Sequence, residues 1–249
     1  MFDEYLTLSL KLSSAMLKNG GETYRAEECA RNILASGGAT EIEVLALPTG
    51  LSVTAVHEGM VYTRVLSLKS RDNNLGNIDI LNTISREVSA GKLLPAEALE
   101  RISQIDSARM RPLIKTIFAC ISAASFTVMF GGGFYEFAFS LLIAFISQLF
   151  IAFLSKIGSL SFFSNMGGSM MTAVLARICC GFFPELNMAV IIIGGIIPLL
   201  PGLATINAIR DTLYGDLVSG AARGVEALLS AISIAAGIAL VLSIGGVSV

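Results

Sequence analysis

Beyond residue 116 the chain carries only four cationic side chains, Lys156, Arg177, Arg210 and Arg223, although the whole sequence holds 17 Lys and Arg. The other thirteen crowd into residues 1–116, so a polar half precedes a strongly apolar one. An apolar run of about 20 residues is what a helix needs to cross a bilayer of about 30 Å. Five segments meet or nearly meet that length, near 113–131, 135–154, 160–182, 187–208 and 224–245. With 54% hydrophobic and 14% charged residues and a mean hydropathy of +0.74, the chain reads as a polytopic membrane protein. The expected organisation is a domain over 1–108, followed by a membrane domain of five transmembrane helices over 109–249.

The fourth segment is interrupted. Ile196-Ile197-Pro198-Leu199-Leu200-Pro201-Gly202 places two prolines and a glycine inside it, and Asn207, Arg210 and Asp211 follow. Proline removes an intrahelical hydrogen bond and clashes with the preceding turn. In hydrocarbon the freed carbonyls need protein or a water-filled cavity around them. A broken helix of this kind lines solute paths in transporters, whereas a kinked packing helix is the plainer alternative.

In the polar half the periodicity changes twice. Helical stripes over 3–18 and 23–36 end at Asn19-Gly20-Gly21 and Gly37-Gly38, with Thr23 the expected cap of the second. Alternating runs at 42–47, 51–56 and 60–68 follow, joined at Pro48-Thr49-Gly50 and Glu58-Gly59, and read as three strands. A polar turn at Arg71-Asp72-Asn73-Asn74 precedes helices over 77–90 and 95–106. The order ααβββαα defines a small α+β domain.

Several chemistries are excluded. A net charge of −2 without a basic cluster argues against nucleic acid. Cys29, Cys120, Cys179 and Cys180 have no metal or redox spacing, and the glycine pairs do not lead into Gly-Lys-Ser/Thr. His57 reads as a turn residue beside Glu58, with no nucleophile or metal partner at a legible spacing. No cofactor and no metal are expected, and without an ATP-binding motif a gradient would have to drive transport. The polar positions of residues 1–20 predict no cleavable signal peptide.

The positive-inside rule orients the segments. Arg109, Arg111 and Lys115, then Lys156, then Arg210 with Arg223, mark one side; Glu136 and Glu185 mark the other. This predicts a cytoplasmic N-terminal domain and an outward C-terminus at Gly246-Val247-Ser248-Val249. Within the apolar half the candidate substrate-path residues are Asn165, Arg177, Pro198, Pro201, Gly202, Asn207 and Asp211. Arg177 admits two readings, a cation facing the bundle interior or a side chain snorkelling to the interface. Asp211, one turn beyond Asn207 on the same face, suits proton exchange or an ammonium group; a wet Arg210–Asp211 pair is the alternative. Ser122, Ser125, Thr127 and Gln148 are expected to bond between helices.

The runs Gly20-Gly21-Glu22-Thr23-Tyr24-Arg25-Ala26-Glu27, Leu47-Pro48-Thr49-Gly50, Asn77-Ile78-Asp79, Pro95-Ala96-Glu97-Ala98 and Pro198-Leu199-Leu200-Pro201-Gly202 together resemble the threonine/serine exporter (ThrE) family, in particular its separate N-terminal half of YjjP type. The resemblance implies a cytoplasmic domain ahead of five helices in the cell (inner) membrane. It implies export of threonine and serine, or of a dicarboxylate such as succinate, by a secondary transporter. It also implies assembly with a small YjjB-like membrane subunit. The alternative from another class is a membrane-anchored ligand-sensing module. An intramembrane enzyme lacks a paired Asp/Asp, a zinc spacing or a Ser/His arrangement.

Overall fold

The computed structural model describes residues 2–68, 73–105 and 112–244. The expected turn at Arg71-Asp72, the boundary at 109–111 and the C-terminal 246–249 lie outside the described residues. Contacts divide the chain into two units, Met1–Arg109 with Gly202–Val225, and Met110–Pro201 with Glu226–Val249. The segment just after the proline break thus belongs by contact with the polar half.

The first unit begins with α1 (Phe2–Lys18) and α2 (Thr23–Ser36), then β1 (Thr40–Leu47), β2 (Gly50–His57) and β3 (Met60–Ser67). The helices α3 (Leu75–Ser89) and α4 (Pro95–Ile105) follow. The strands form an antiparallel sheet in the order β1-β2-β3. Leu47 pairs with Gly50 across the Pro48-Thr49 turn, and His57 with Met60 across Glu58-Gly59. Glu58 and Gly59 take φ of 51° and 76°, the left-handed pair that a two-residue hairpin of matching twist requires.

Alternation decides which side of the sheet is covered. Val44, Ala46, Leu51, Val53 and Ala55 point into a core with Leu6, Leu17, Ala26, Ala30 and Leu34 of α1 and α2. The opposite side of the same helices, through Leu8, Leu12, Met16 and Ile33, packs on Leu81, Ile84, Val88 and Ile102 of α3 and α4. The helix pair α1/α2 is therefore apolar on two sides and forms the middle of three layers. Asn74, whose side chain accepts from the Asn77 N–H at 3.1 Å, caps α3. His57 stacks on Phe2 with ring centroids 4.2 Å apart, a packed strand end.

The second unit contains α5 (Pro112–Met129), α6 (Phe134–Lys156), α7 (Ser161–Phe182) and α8 (Met188–Ile196). Its core joins Ile143, Ala173, Ala176, Leu186, Ile191 and Ile192 with Val241 of α10 (Leu217–Ile244). Among the described residues three helices, α5, α6 and α10, are long and apolar enough to cross a membrane. The pair formed by α8 with its following turn and α9 (Gly202–Leu213) would make a fourth, broken span. Helix α7 has the length, 22 residues, but Asn165, Ser169, Thr172 and Arg177 dilute its apolarity. Only 22% of the α5 and α6 spans is buried within the protein. Phe118, Leu142, Leu149 and Phe153 stay exposed, as lipid-facing side chains must. The chain is a multi-pass membrane protein.

The fourth expected helix, 187–208, is two helices. Helix α8 ends at Ile196, a 3₁₀ turn covers Ile197–Leu199, and Leu200 is extended at φ −64°, ψ 137° before α9 begins at Gly202. Pro201 explains this, because the residue preceding a proline is driven out of the helical region. Helix α9 then runs on to Leu213, and α10 begins at Leu217 rather than near 224. Arg223 consequently lies within a helix and not in a connecting loop.

Candidate functional site

Within the first unit, the turn Gly20–Thr23 between α1 and α2 is held by α9 and the first turns of α10. Gly20 takes φ of 89°, a left-handed value suited to glycine, and directs its carbonyl away from α1. Asn207 Nδ2 donates to that carbonyl at 2.8 Å. One turn later, Asp211 is fully buried at 0% exposure. Its Oδ1 accepts from the Thr23 backbone N–H at 3.3 Å and the Thr23 hydroxyl at 2.9 Å. Its Oδ2 lies 3.0 Å from Arg223 Nε, and Arg223 Nη2 donates to the Gly21 carbonyl at 2.8 Å.

This corrects one expectation and removes one alternative. Thr23 does not cap α2: the N-cap is Glu22, whose side chain makes no cap bond. The anion at that helix start comes instead from Asp211, distant in sequence, and it meets the positive end of the helix dipole. Nor do Arg210 and Asp211 pair with each other; Arg210 bonds Glu22, and Asp211 bonds Arg223. Arg25 adds a second cation 3.6 Å from Glu22.

Asp216, in the link between α9 and α10, brings Oδ2 within 2.9 Å of the same Thr23 hydroxyl. Tyr24 and Tyr214 stack beside it at 4.2 Å. Gly220 lets the two helices meet, since a Cβ there would lie 2.9 Å from the Ala208 carbonyl oxygen. Glu27 Oε1 accepts from the Ala46 N–H at 2.8 Å and ties α2 to β1. Burial pushes the Glu27 carboxyl above its ordinary value, against the Ala46 bond.

Of the candidate path residues, Asn207 and Asp211 come together here, and Gly202 opens the helix that carries them. Asn165, Arg177, Pro198 and Pro201 belong to the second unit. There Asn165 Nδ2 donates to Ser230 Oγ at 2.9 Å, and Arg177 is half-buried on α7. Pro198 sits in the 3₁₀ turn and Pro201 in the link before α9. Thr127 donates to Ser140 at 2.7 Å, as a bond between helices. Ser147 and Thr172 form another such pair at 3.0 Å; Gln148, Ser122 and Ser125 make none among the described residues.

Thr23, Glu22 and Arg223 are the functional candidates that sequence reasoning missed. Arg223 carried a signal, a cation in a largely apolar helix. A second feature of the first unit is a cleft of about 460 Å³ between α2 and α3, lined by Arg25, Glu28, Asn32, Asp79, Asn82 and Arg86 among others. Cys29 closes it, its thiol donating to Ser85 at 3.2 Å and pushed up to about 11 by burial. Among the described residues no group of three or more His, Cys, Asp or Glu side chains could hold a metal ion.

A helical chain with long apolar spans, a proline-broken candidate span, and ion pairs that tie the segment after the break to the Gly20–Thr23 turn defines a multi-pass membrane protein. The family model of the threonine/serine exporters, ThrE, matches residues 7–245, and the chain belongs to that family. A curated relative, the threonine/serine exporter of Corynebacterium glutamicum, is 28% identical over 176 residues, covering 68% of this chain. The chain spans only 36% of that relative's length. No solved structure matches it.

Proposed function

We propose that this chain is the membrane subunit of a secondary exporter of small polar metabolites, threonine- or serine-like amino acids or dicarboxylates such as succinate. The observation that carries the reading is the family match from residue 7 to 245, which takes in both units and the broken span. In this reading α7 is a fifth span, the N-terminal unit is cytoplasmic and the C-terminus faces outward. In the same reading a second membrane subunit of YjjB-like kind completes the path, and the assembly is oligomeric. The break at Pro198–Gly202 frees backbone carbonyls for a polar solute or water. Asn165 and Arg177 supply polar contacts along the path.

Efflux of a panel of amino acids and dicarboxylates, from cells expressing this chain with and without the second subunit, tests the proposal. Accelerated loss of one solute class only when both are present is the expected result. Equal efflux with an empty vector would refute it. A ligand-sensing module is the second reading, favoured by the α2/α3 cleft, whose opposite charges suit a zwitterion. It predicts metabolite binding by the full chain that Arg86→Ala and Asp79→Ala abolish while efflux is unaltered.

A further inference from the structure

The cleft between α2 and α3 is lined by two bases and two acids that leave one another unpaired. Arg25 and Glu28 come from α2, Asp79 and Arg86 from α3. The two helices run in the same direction, since Asn77 Nδ2 donates to Asn19 Oδ1 at one end and Cys29 meets Ser85 farther along. The order of charge is therefore inverted between them, base before acid on α2 and acid before base on α3. Among the described residues no ion pair spans the cleft. Arg25 pairs with Glu22 at the start of its own helix, and Arg86 Nε donates to the Asn82 carbonyl of its own helix. The floor is polar as well: Ser85 is 8% exposed, accepts from the Cys29 thiol and has its own hydrogen left to give.

A ligand of one sign would meet two like charges here, whereas one carrying both a carboxylate and an ammonium group suits every wall. Guanidinium groups match a carboxylate in geometry, and Ser85 adds a donor. Glu28, Asp79 and the amide oxygens of Asn32 and Asn82 accept from an ammonium. The volume of about 460 Å³ is that of a small-molecule site. We propose that this cleft binds a free amino acid, and that its occupancy is linked to α9 through Arg25, Glu22 and Arg210. Glu22 divides its two oxygens between two cations, Oε2 facing Arg25 at 3.6 Å and Oε1 facing Arg210 of α9. A ligand carboxylate in the cleft competes with Glu22 for Arg25. Once Arg25 turns to the ligand, Glu22 serves Arg210 alone, and the hold on the helix that follows the proline break tightens.

Such coupling is reciprocal: a ligand that strengthens the Glu22–Arg210 tie is itself bound more tightly while that tie is made. Tyr24, which also engages Arg25, stacks on Tyr214 just past α9, so both partners of Arg25 reach the same hairpin. The linkage rests on the sensing reading of the cleft and is independent of the exporter reading. It fails separately from either when an amino acid binds the cleft but nothing on α9 alters its affinity.

Calorimetric titration of the full chain in detergent is the test, using a panel of L-amino acids, with acetate and methylamine as half-molecules. An amino acid should bind, and each half-molecule should bind about tenfold more weakly, the loss of one charged hydrogen bond. Asp79→Asn should weaken binding as much, which separates the cleft from any transport path. Two variants outside the cleft carry the linkage. Arg210→Ala leaves Glu22 with Arg25 alone and should weaken binding about two- to fivefold, whereas Glu22→Gln frees Arg25 and should tighten it by a similar factor. Arg210→Lys, which keeps the charge, should stay close to wild type, and its contrast with Arg210→Ala decides alone if Glu22→Gln does not fold. General loosening of the unit would weaken both variants, so the opposite signs are the signature. Weaker binding in Glu22→Gln, equal affinities in Arg210→Ala and Arg210→Lys, or no change in any of them overturns the linkage and leaves the cleft a binding site. No binding by any amino acid, half-molecules that bind as well, or an affinity unmoved by Asp79→Asn overturns the site and the sensing reading together.

Discussion

The two units bury polar atoms by opposite means. In the second, neutral side chains bond from helix to helix: Thr127 with Ser140, Ser147 with Thr172, Asn165 with Ser230. In the first, ionised groups distant in sequence meet, with Asp211, Arg223, Glu22 and Arg210 arranged around one turn. Neutral pairs can be lost one at a time, because an orphaned hydroxyl rotates or back-bonds to its own helix. A buried ion pair cannot, since either partner alone leaves an uncompensated charge. The first unit is thus the all-or-none part of the molecule, and the second the forgiving one.

The largest expected effect breaks that contrast at its centre. Asp211→Ala strands Arg223, which is 4% exposed, and should cost about 3–5 kcal/mol of stability. The double variant Asp211→Leu with Arg223→Met removes both charges and should recover most of that loss. Melting of the four-member cycle in detergent measures it. Additive losses would show that the pair is not coupled and that the comparison fails.

Next in size is a packing test in the second unit. Gly194 of α8 lies so close to α5 that an added Cβ would meet the Thr127 side chain, with the Thr127 nitrogen at 2.8 Å and the Ala123 carbonyl oxygen at 2.9 Å. Backbone atoms cannot rotate away, so Gly194→Ala should cost about 1–3 kcal/mol through overpacking. Gly181→Ala, where nothing lies within 4 Å, is the matched control and should be nearly neutral. Below these come the hydroxyl pairs. Thr172→Val should cost about 0.6 kcal/mol, the average for such bonds in membrane proteins. A loss as large as that of Asp211→Ala would erase the distinction between the units.

Local pattern made the architecture legible. Alternation in 42–47 and 51–56, the glycine turns and the apolar runs led to the three strands and most helix limits. The joint was not legible, for a physical reason. Thr23 and Asp211 are 188 positions apart, and no periodicity links them. Asn207 and Asp211 stood out because polar groups in an apolar run are costly, but their partners lay in a stretch read as a helix end and a local cap. Arg223 was taken for a loop charge because the helix start was set by apolarity alone, and α10 begins earlier with small residues around Gly220. Between helices, the largest polar side chain, Gln148, drew attention, while the bond is made by its neighbour Ser147, which faces α7.

The smallest effect tests how far the charge cluster reaches. Glu27, on α2, has its carboxyl raised from the ordinary 4.5, first by burial and in smaller part by Asp216. A carboxyl whose native pKa is raised binds its proton more tightly when folded. Its contribution to stability is therefore fully present below the unfolded value near 4.5 and falls away as pH rises through the higher native value. Glu27→Gln keeps an acceptor for the Ala46 N–H and has nothing to titrate. Its melting midpoint relative to wild type should therefore climb from acid to neutral pH and then level off. Because Asp216 contributes to the shift, the climb should shrink in an Asp216→Asn background. Parallel pH profiles for the two chains would mean that Glu27 is solvated and that the burial cost ends at the Thr23 turn.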